Sequence, residues 1–128
     1  MKKQNNFLCI FVLMLIAPNC WAYGSSSSSA KSCVKPKFTD FTPIENSEVT
    51  PGSQFSFSAS PNTDPNSIKV TVKGISSNIK VESKNSGSLS VNGMLPASLN
   101  DTYARVSIDA NTLSACNGGG GWLIKISK

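Results

Sequence analysis

Residues 54–73, QFSFSASPNTDPNSIKVTVK, decide the fold. Phe55, Phe57 and Ala59 alternate with Ser56 and Ser58, and Ile68, Val70 and Val72 alternate with Lys69 and Thr71. A period of two gives a strand one buried face and one wet face, so each run reads as a half-buried strand. Between them Pro61 and Pro65, with Asn62, Thr63, Asp64 and Asn66, break any helix and supply turn chemistry. The two strands are expected to pair, or to face each other across a small core.

The same pattern extends outward. Residues 35–41 hold Phe38 and Phe41 among polar neighbours. These aromatics are an odd number of positions apart, which predicts a first strand with a bulge. Residues 43–52 turn the chain, with the corner at Pro51-Gly52. Downstream, residues 78–82 (NIKVE) make a fourth strand, Asn85-Ser86-Gly87 a turn, and Leu89 and Val91 the centre of a fifth. A connection over residues 94–102 leads into residues 103–110, where Ala104, Val106, Ile108 and Ala110 point inward. After a loop over residues 111–121, WLIKIS at 122–127 is the last strand. No segment carries an apolar stripe at helical spacing, so about seven short strands predict an all-β two-sheet sandwich.

The first residues read as an address. Lys2 and Lys3 precede the uncharged apolar run FLCIFVLMLIA at 7–17, and cleavage is expected after Ala22. That run is well short of the roughly 20 residues a spanning helix needs, which argues against stable membrane insertion after cleavage. Lipidation of Cys20 is the rival reading, but Ala17-Pro18-Asn19 lacks the small residue that a lipid-attachment box places before its cysteine. Residues 23–32, YGSSSSSAKS, have nothing to bury and read as a flexible leader, either a tether or a plain disordered terminus. Residues 33–128 are left as one domain.

Lys2 and Lys3 are among the 12 basic residues set against 7 acidic ones, so the exported part carries only a mild positive excess. Its basic groups are dispersed and not interleaved with aromatics, which argues against nucleic acid. Cys9 and Cys20 leave with the signal, so Cys33 and Cys116 are expected to bond to each other in an oxidising periplasmic or extracellular setting. Two thiols make half a zinc site, and there is no histidine to complete one.

From Leu95-Pro96 through Tyr103 the chain resembles the immunoglobulin-like fold, in which a leucine-containing connection ends in a tyrosine at the start of the sixth strand. The resemblance implies that the Tyr103 hydroxyl bonds back to the corner backbone. Phe41-Thr42-Pro43 through Phe57 looks like bacterial immunoglobulin-like domains and the copper-carrier type of sandwich, and resembles small exported bacterial proteins. The antibody-type cysteines and third-strand tryptophan are absent. Copper carriers of this form use histidines and methionines, whereas this chain has no histidine and keeps only Met94 after export, so copper is not carried over and no cofactor is expected. The implied topology also brings Cys33, before the first strand, and Cys116, after the sixth, to the same end.

Catalysis is not expected. There is no histidine, no free thiol is expected after export, no serine stands next to a plausible base, and the carboxylates Glu45, Glu48, Asp64, Glu82, Asp101 and Asp109 are scattered. Asn117-Gly118-Gly119-Gly120-Gly121 could admit a partner's backbone or cradle an anion, or simply be a flexible hairpin beside the disulfide. The hairpin is the favoured reading, because phosphate loops open a helix and a strand follows here. Loop-inserting protease inhibitors also use glycine-rich tips, a more distant alternative. Trp122 is either a platform for a sugar ring or a core residue aligned with Ile124 and Ile126, and the alternation favours core. Lys69, Lys73, Lys80 and Lys84 fall on outward positions or loops as a weak basic stripe or as guards against edge pairing. Asn100-Asp101-Thr102 matches a glycosylation sequon, discounted because the signal is of bacterial type.

The expectation is a non-enzymatic exported binding or assembly module whose surface is the loop end: residues 60–66, including Asn62, Asp64 and Asn66, residues 84–87, and residues 111–121 followed by Trp122. Its partner is an unidentified protein, or a glycan if Trp122 is exposed beside Tyr103.

Overall fold

The structure, a computed structural model, describes residues 33–128. The signal segment 1–22, the Cys20 question and the leader 23–32 lie outside the described residues. Nine strands follow in order: β1 Phe38–Thr42, β2 Glu48–Val49, β3 Gln54–Ala59, β4 Lys69–Val72, β5 Ile75–Ser77, β6 Ile79–Ser83, β7 Leu89–Met94, β8 Thr102–Asn111 and β9 Asn117–Ile126. They form a four-stranded sheet, β1-β3-β7-β6, and a five-stranded sheet, β2-β9-β8-β4-β5. This is the strand order of an immunoglobulin-like sandwich, with a short extra strand at each edge of the second sheet. β3 and β4, the two strands of the opening stretch, do not pair but lie in different sheets.

Seven strands were expected. The two additions are β2 and β5, of two and three residues, too short to show a period. β2 runs parallel to the end of β9, with Glu48 beside Lys125 and Val49 beside Ile126.

The interior is built from the alternating positions. Phe55, Phe57, Val70, Val72, Val91, Val106, Ile124 and Ile126 are buried around Trp122. Each such side chain contributes about 1.5 to 3 kcal/mol on leaving water. Trp122 touches three phenylalanines: Phe41 stacks on it at 4.7 Å, while Phe55 and Phe57 meet it edge-on at 6.1 and 6.2 Å. Its indole Nε1 donates to Pro43 O at 2.8 Å, so burial leaves no orphan donor. Among the described residues, every buried side-chain nitrogen and oxygen has a partner.

The predicted bulge is present. Register with β3 shifts between Thr39 and Thr42, and Asp40 has φ 56°. One extra residue lets Phe38 turn inward onto Phe57, at 5.9 Å, and Phe41 onto Trp122.

Tyr103 departs from its expected role. It is 56% exposed, and its ring lies under Lys125 Nζ at 5.7 Å instead of turning to the corner backbone. Ala104, Val106, Ile108 and Ala110 own the inward parity of β8, so position 103 must face out.

Candidate functional site

The loops expected to form a surface do meet at one pole. The β3–β4 connection is fixed by local chemistry: Asp64 Oδ1 accepts from Asn66 N at 3.0 Å and caps a single 3₁₀ turn, Pro65–Ser67. It is tied to the β8–β9 hairpin by a bridge between Thr63 and Thr112, by Asp64 N donating to Asn111 O at 2.8 Å, and by Leu113 N donating to Asn62 O at 3.0 Å. The segment before β1 joins them. Ser60 N donates to Lys37 O at 2.9 Å, Lys37 N donates to Ser60 Oγ at 2.9 Å, and Asn62 Nδ2 donates to Val34 O at 3.2 Å. The β6–β7 turn abuts Pro61 through Gly87.

Cys33 and Cys116 are bonded at this pole, with Cα atoms 5.8 Å apart. Cys116 is buried, while Cys33 is exposed.

Several polar residues singled out in the sequence are occupied internally. Asn62 and Asp64 brace the β3–β4 connection as above. Asn117 Nδ2 donates to Asn111 Oδ1 at 2.9 Å and to Asp109 Oδ1 at 3.1 Å, closing the hairpin. Asn66 is exposed.

The glycine run is a strand and not the expected flexible hairpin. Gly118, Gly119, Gly120 and Gly121 pair with Ala110, Asp109, Ile108 and Ser107 of β8, so the loop is only residues 112–116. Packing accounts for most of the run. A methyl group on Gly118 would lie 2.9 Å from Pro36 Cδ, and one on Gly120 would lie 3.0 Å from the Phe38 ring. Gly121 has φ 151°, and a methyl there would collide with Val106 O. Missing side chains on β9 therefore make room for the segment entering β1. Trp122 is 1% exposed, which removes it as a sugar platform.

The sequence did not point to the apolar surface at this pole. Val34 is 72% exposed and Leu113 is 74% exposed, and Asn62 bonds to the backbone of both. An open depression of about 480 Å³ is lined by Val34, Pro61 and Asn62, with Lys35 and Lys37 contributing to its wall. Neither Val34 nor Leu113 belongs to a periodic run. Their one legible signal was proximity in the chain to the two cysteines.

A second depression of about 390 Å³ lies on the outer face of the four-stranded sheet, among Gln54, Asn92 and Met94 and the Lys80–Glu82 ion pair at 3.2 Å. The expected lysine stripe is split: Lys69 lies on β4 of one sheet, and Lys80 on β6 of the other. Among the described residues no three histidine, cysteine or acidic side chains converge as metal ligands.

No protein-family model matches this chain, and no curated protein matches it in sequence. Solved structures resemble it in shape. CopC from Methylosinus trichosporium OB3b has a TM-score of 0.55 and 9% identity, covering 72% of this chain and 93% of its own. The GspB Siglec domain has a TM-score of 0.52 and 14% identity over 74% of this chain and 58% of its own, so this chain spans little more than half of it. PcoC from Escherichia coli, described as a methionine-rich copper resistance protein, has a TM-score of 0.49 and 17% identity over 73% of this chain and 100% of its own. At these identities the likeness is one of fold, and the fold is the immunoglobulin-like β-sandwich.

Proposed function

We propose that this chain is an exported, non-enzymatic binding module that engages a protein partner through its disulfide-braced pole. The observation that carries the reading is that Val34, Pro61 and Leu113 are all exposed on loops that hydrogen bonds and a disulfide tie together at one pole. Apolar side chains fixed on a braced surface cost little ordering entropy when a partner covers them, and such a group is what an interface core needs. Lys35 and Lys37 beside the depression favour a partner that presents an apolar side chain flanked by carboxylates.

Export to the periplasm or cell surface is supported by the signal-like residues 1–22 and by the disulfide, which requires an oxidising compartment. The non-enzymatic reading is supported by the absence of histidine and the use of Cys33 and Cys116 in a bond, which leaves no free thiol or imidazole among the described residues to activate a nucleophile. A copper role does not transfer: Met94 is the one methionine among the described residues, and no histidine accompanies it.

Capture from a periplasmic extract of the native host tests the reading. The oxidised wild-type chain is expected to retain a protein that Val34→Asp and Leu113→Asp both release, with the near-ultraviolet dichroism of Trp122 unchanged. Equal retention by wild type and both variants would remove the pole as the interface.

A further inference from the structure

The outer face of the five-stranded sheet gathers cations that, among the described residues, form no ion pair. Tyr103 and Arg105 project outward from β8, alternating with the buried Ala104 and Val106. On β9, Lys125 is the register partner of Tyr103 and Leu123 that of Arg105. On the other side Lys73 N donates to Arg105 O at 3.1 Å, and Lys73 Nζ reaches Thr102 Oγ1 at 2.7 Å. The acidic groups nearby leave these cations unpaired. Glu48 is the register partner of Lys125 but forms no ion pair with it, and Asp109 lies higher on β8, opposite Lys69 and bonded to Asn117. The ion pair found among the described residues, Lys80–Glu82, is on the other sheet.

We propose that this face binds a carboxylated polysaccharide, its uronate groups reaching Lys73, Arg105 and Lys125 and a sugar ring resting on Tyr103. The placement of the charges sets the ligand class. Arg105 and Lys125 come from the paired strands β8 and β9, about 4.8 Å apart, and Lys73 from the turn that follows β4, so they do not converge on one point. Such spacing suits a chain with repeating charges better than a single phosphate. Arg105 offers the planar fork that matches a carboxylate. The exposed Tyr103 presents an apolar body with a polar tip, which suits the C–H face of a sugar. Thr71 and Ser107, register partners one row above, add hydroxyls. The two depressions described above lie elsewhere.

Calorimetric titration of the oxidised exported chain with alginate oligosaccharides, neutral dextran and polyglutamate tests the proposal. Alginate is expected to bind and to weaken as salt rises, because the contacts are exposed charges. Arg105→Ala and Lys125→Ala are each expected to lower affinity about tenfold, the effect of losing one charge-assisted hydrogen bond. Tyr103→Ala is expected to weaken binding at any salt concentration. Lys80→Ala removes the same charge from the opposite sheet and is expected to leave binding unchanged. The proposal is overturned if alginate fails to bind at low salt, if dextran or polyglutamate binds as tightly, or if Lys80→Ala weakens binding as much as Arg105→Ala.

Discussion

Gly93 shows how much of this fold is decided by single positions. It lies on β7 opposite Phe55 of β3, and any β-carbon there would enter the Phe55 ring. Phe55 cannot retreat, because Trp122 meets it edge-on from the other sheet. Gly93→Ala should therefore lower stability by about 1 to 3 kcal/mol through overpacking, read as a lower urea midpoint with the slope unchanged. Gly74 makes the control, since nothing lies within 4 Å of a methyl placed there. Its φ of 81° alone penalises Gly74→Ala, by about 1 kcal/mol. Tyr103 carries the opposite lesson. Alternation through Ala104, Val106, Ile108 and Ala110 already placed it outside, and a corner tyrosine sits two residues before an inward cysteine, on the inward parity. The periodicity was the sounder guide because β8 pairs with β9 in unbroken register, and a strand without a bulge cannot present two consecutive residues to the same side.

At the scale of elements, the long alternating strands were legible in the residues and the exceptions have physical reasons. β4 and β8 announce themselves because each has a buried and a wet face, and β3 because Phe55, Phe57 and Ala59 alternate with serines, although Ser58 is itself buried. β9 was seen only from Trp122 onward, since its first half carries almost no side chains and a run of glycines has no hydrophobic period to read. The structure extends it to ten residues against β8. Hydrogen exchange separates a strand from a flexible hairpin here. Lys125 N and Ser127 N donate to the Ser47 and Val49 carbonyls, so the odd-numbered residues of β9 turn their backbone groups away from β8, and the even-numbered ones face it. Gly118 and Gly120 amides should exchange slowly and those of Gly119 and Gly121 quickly. Uniformly fast exchange across all four would mean that the first half of β9 is not paired. β2 and β5 escaped notice because pairing partners, not sequence pattern, define strands that short.

For the molecule as a whole, sheet membership was the information the residues withheld. Lysines at 69 and 80 look like one stripe in the sequence, yet they sit on opposite faces of the sandwich, whereas Lys73, Arg105 and Lys125, distant in sequence, become neighbours once β4, β8 and β9 pair. The pole was more accessible to reasoning, because a strand count sufficed to bring Cys33 and Cys116 to one end. Their bond spans a sequence separation of 83, and closing a loop of that size in the unfolded chain is worth about 4 to 5 kcal/mol on chain-entropy grounds. That is a large share of the roughly 5 to 15 kcal/mol stability of an ordinary domain. The native pole, by contrast, is also held by backbone bonds among residues 60–64 and 111–116. The Cys33→Ala/Cys116→Ala double variant should therefore keep its fold but unfold at a much lower urea concentration. Its denaturation slope should be somewhat steeper, since the unfolded chain is no longer cross-linked and exposes more surface. An unchanged midpoint would mean that the bond constrains nothing the unfolded chain explores, and bracing of the Val34 and Leu113 surface would then rest on the loop hydrogen bonds alone.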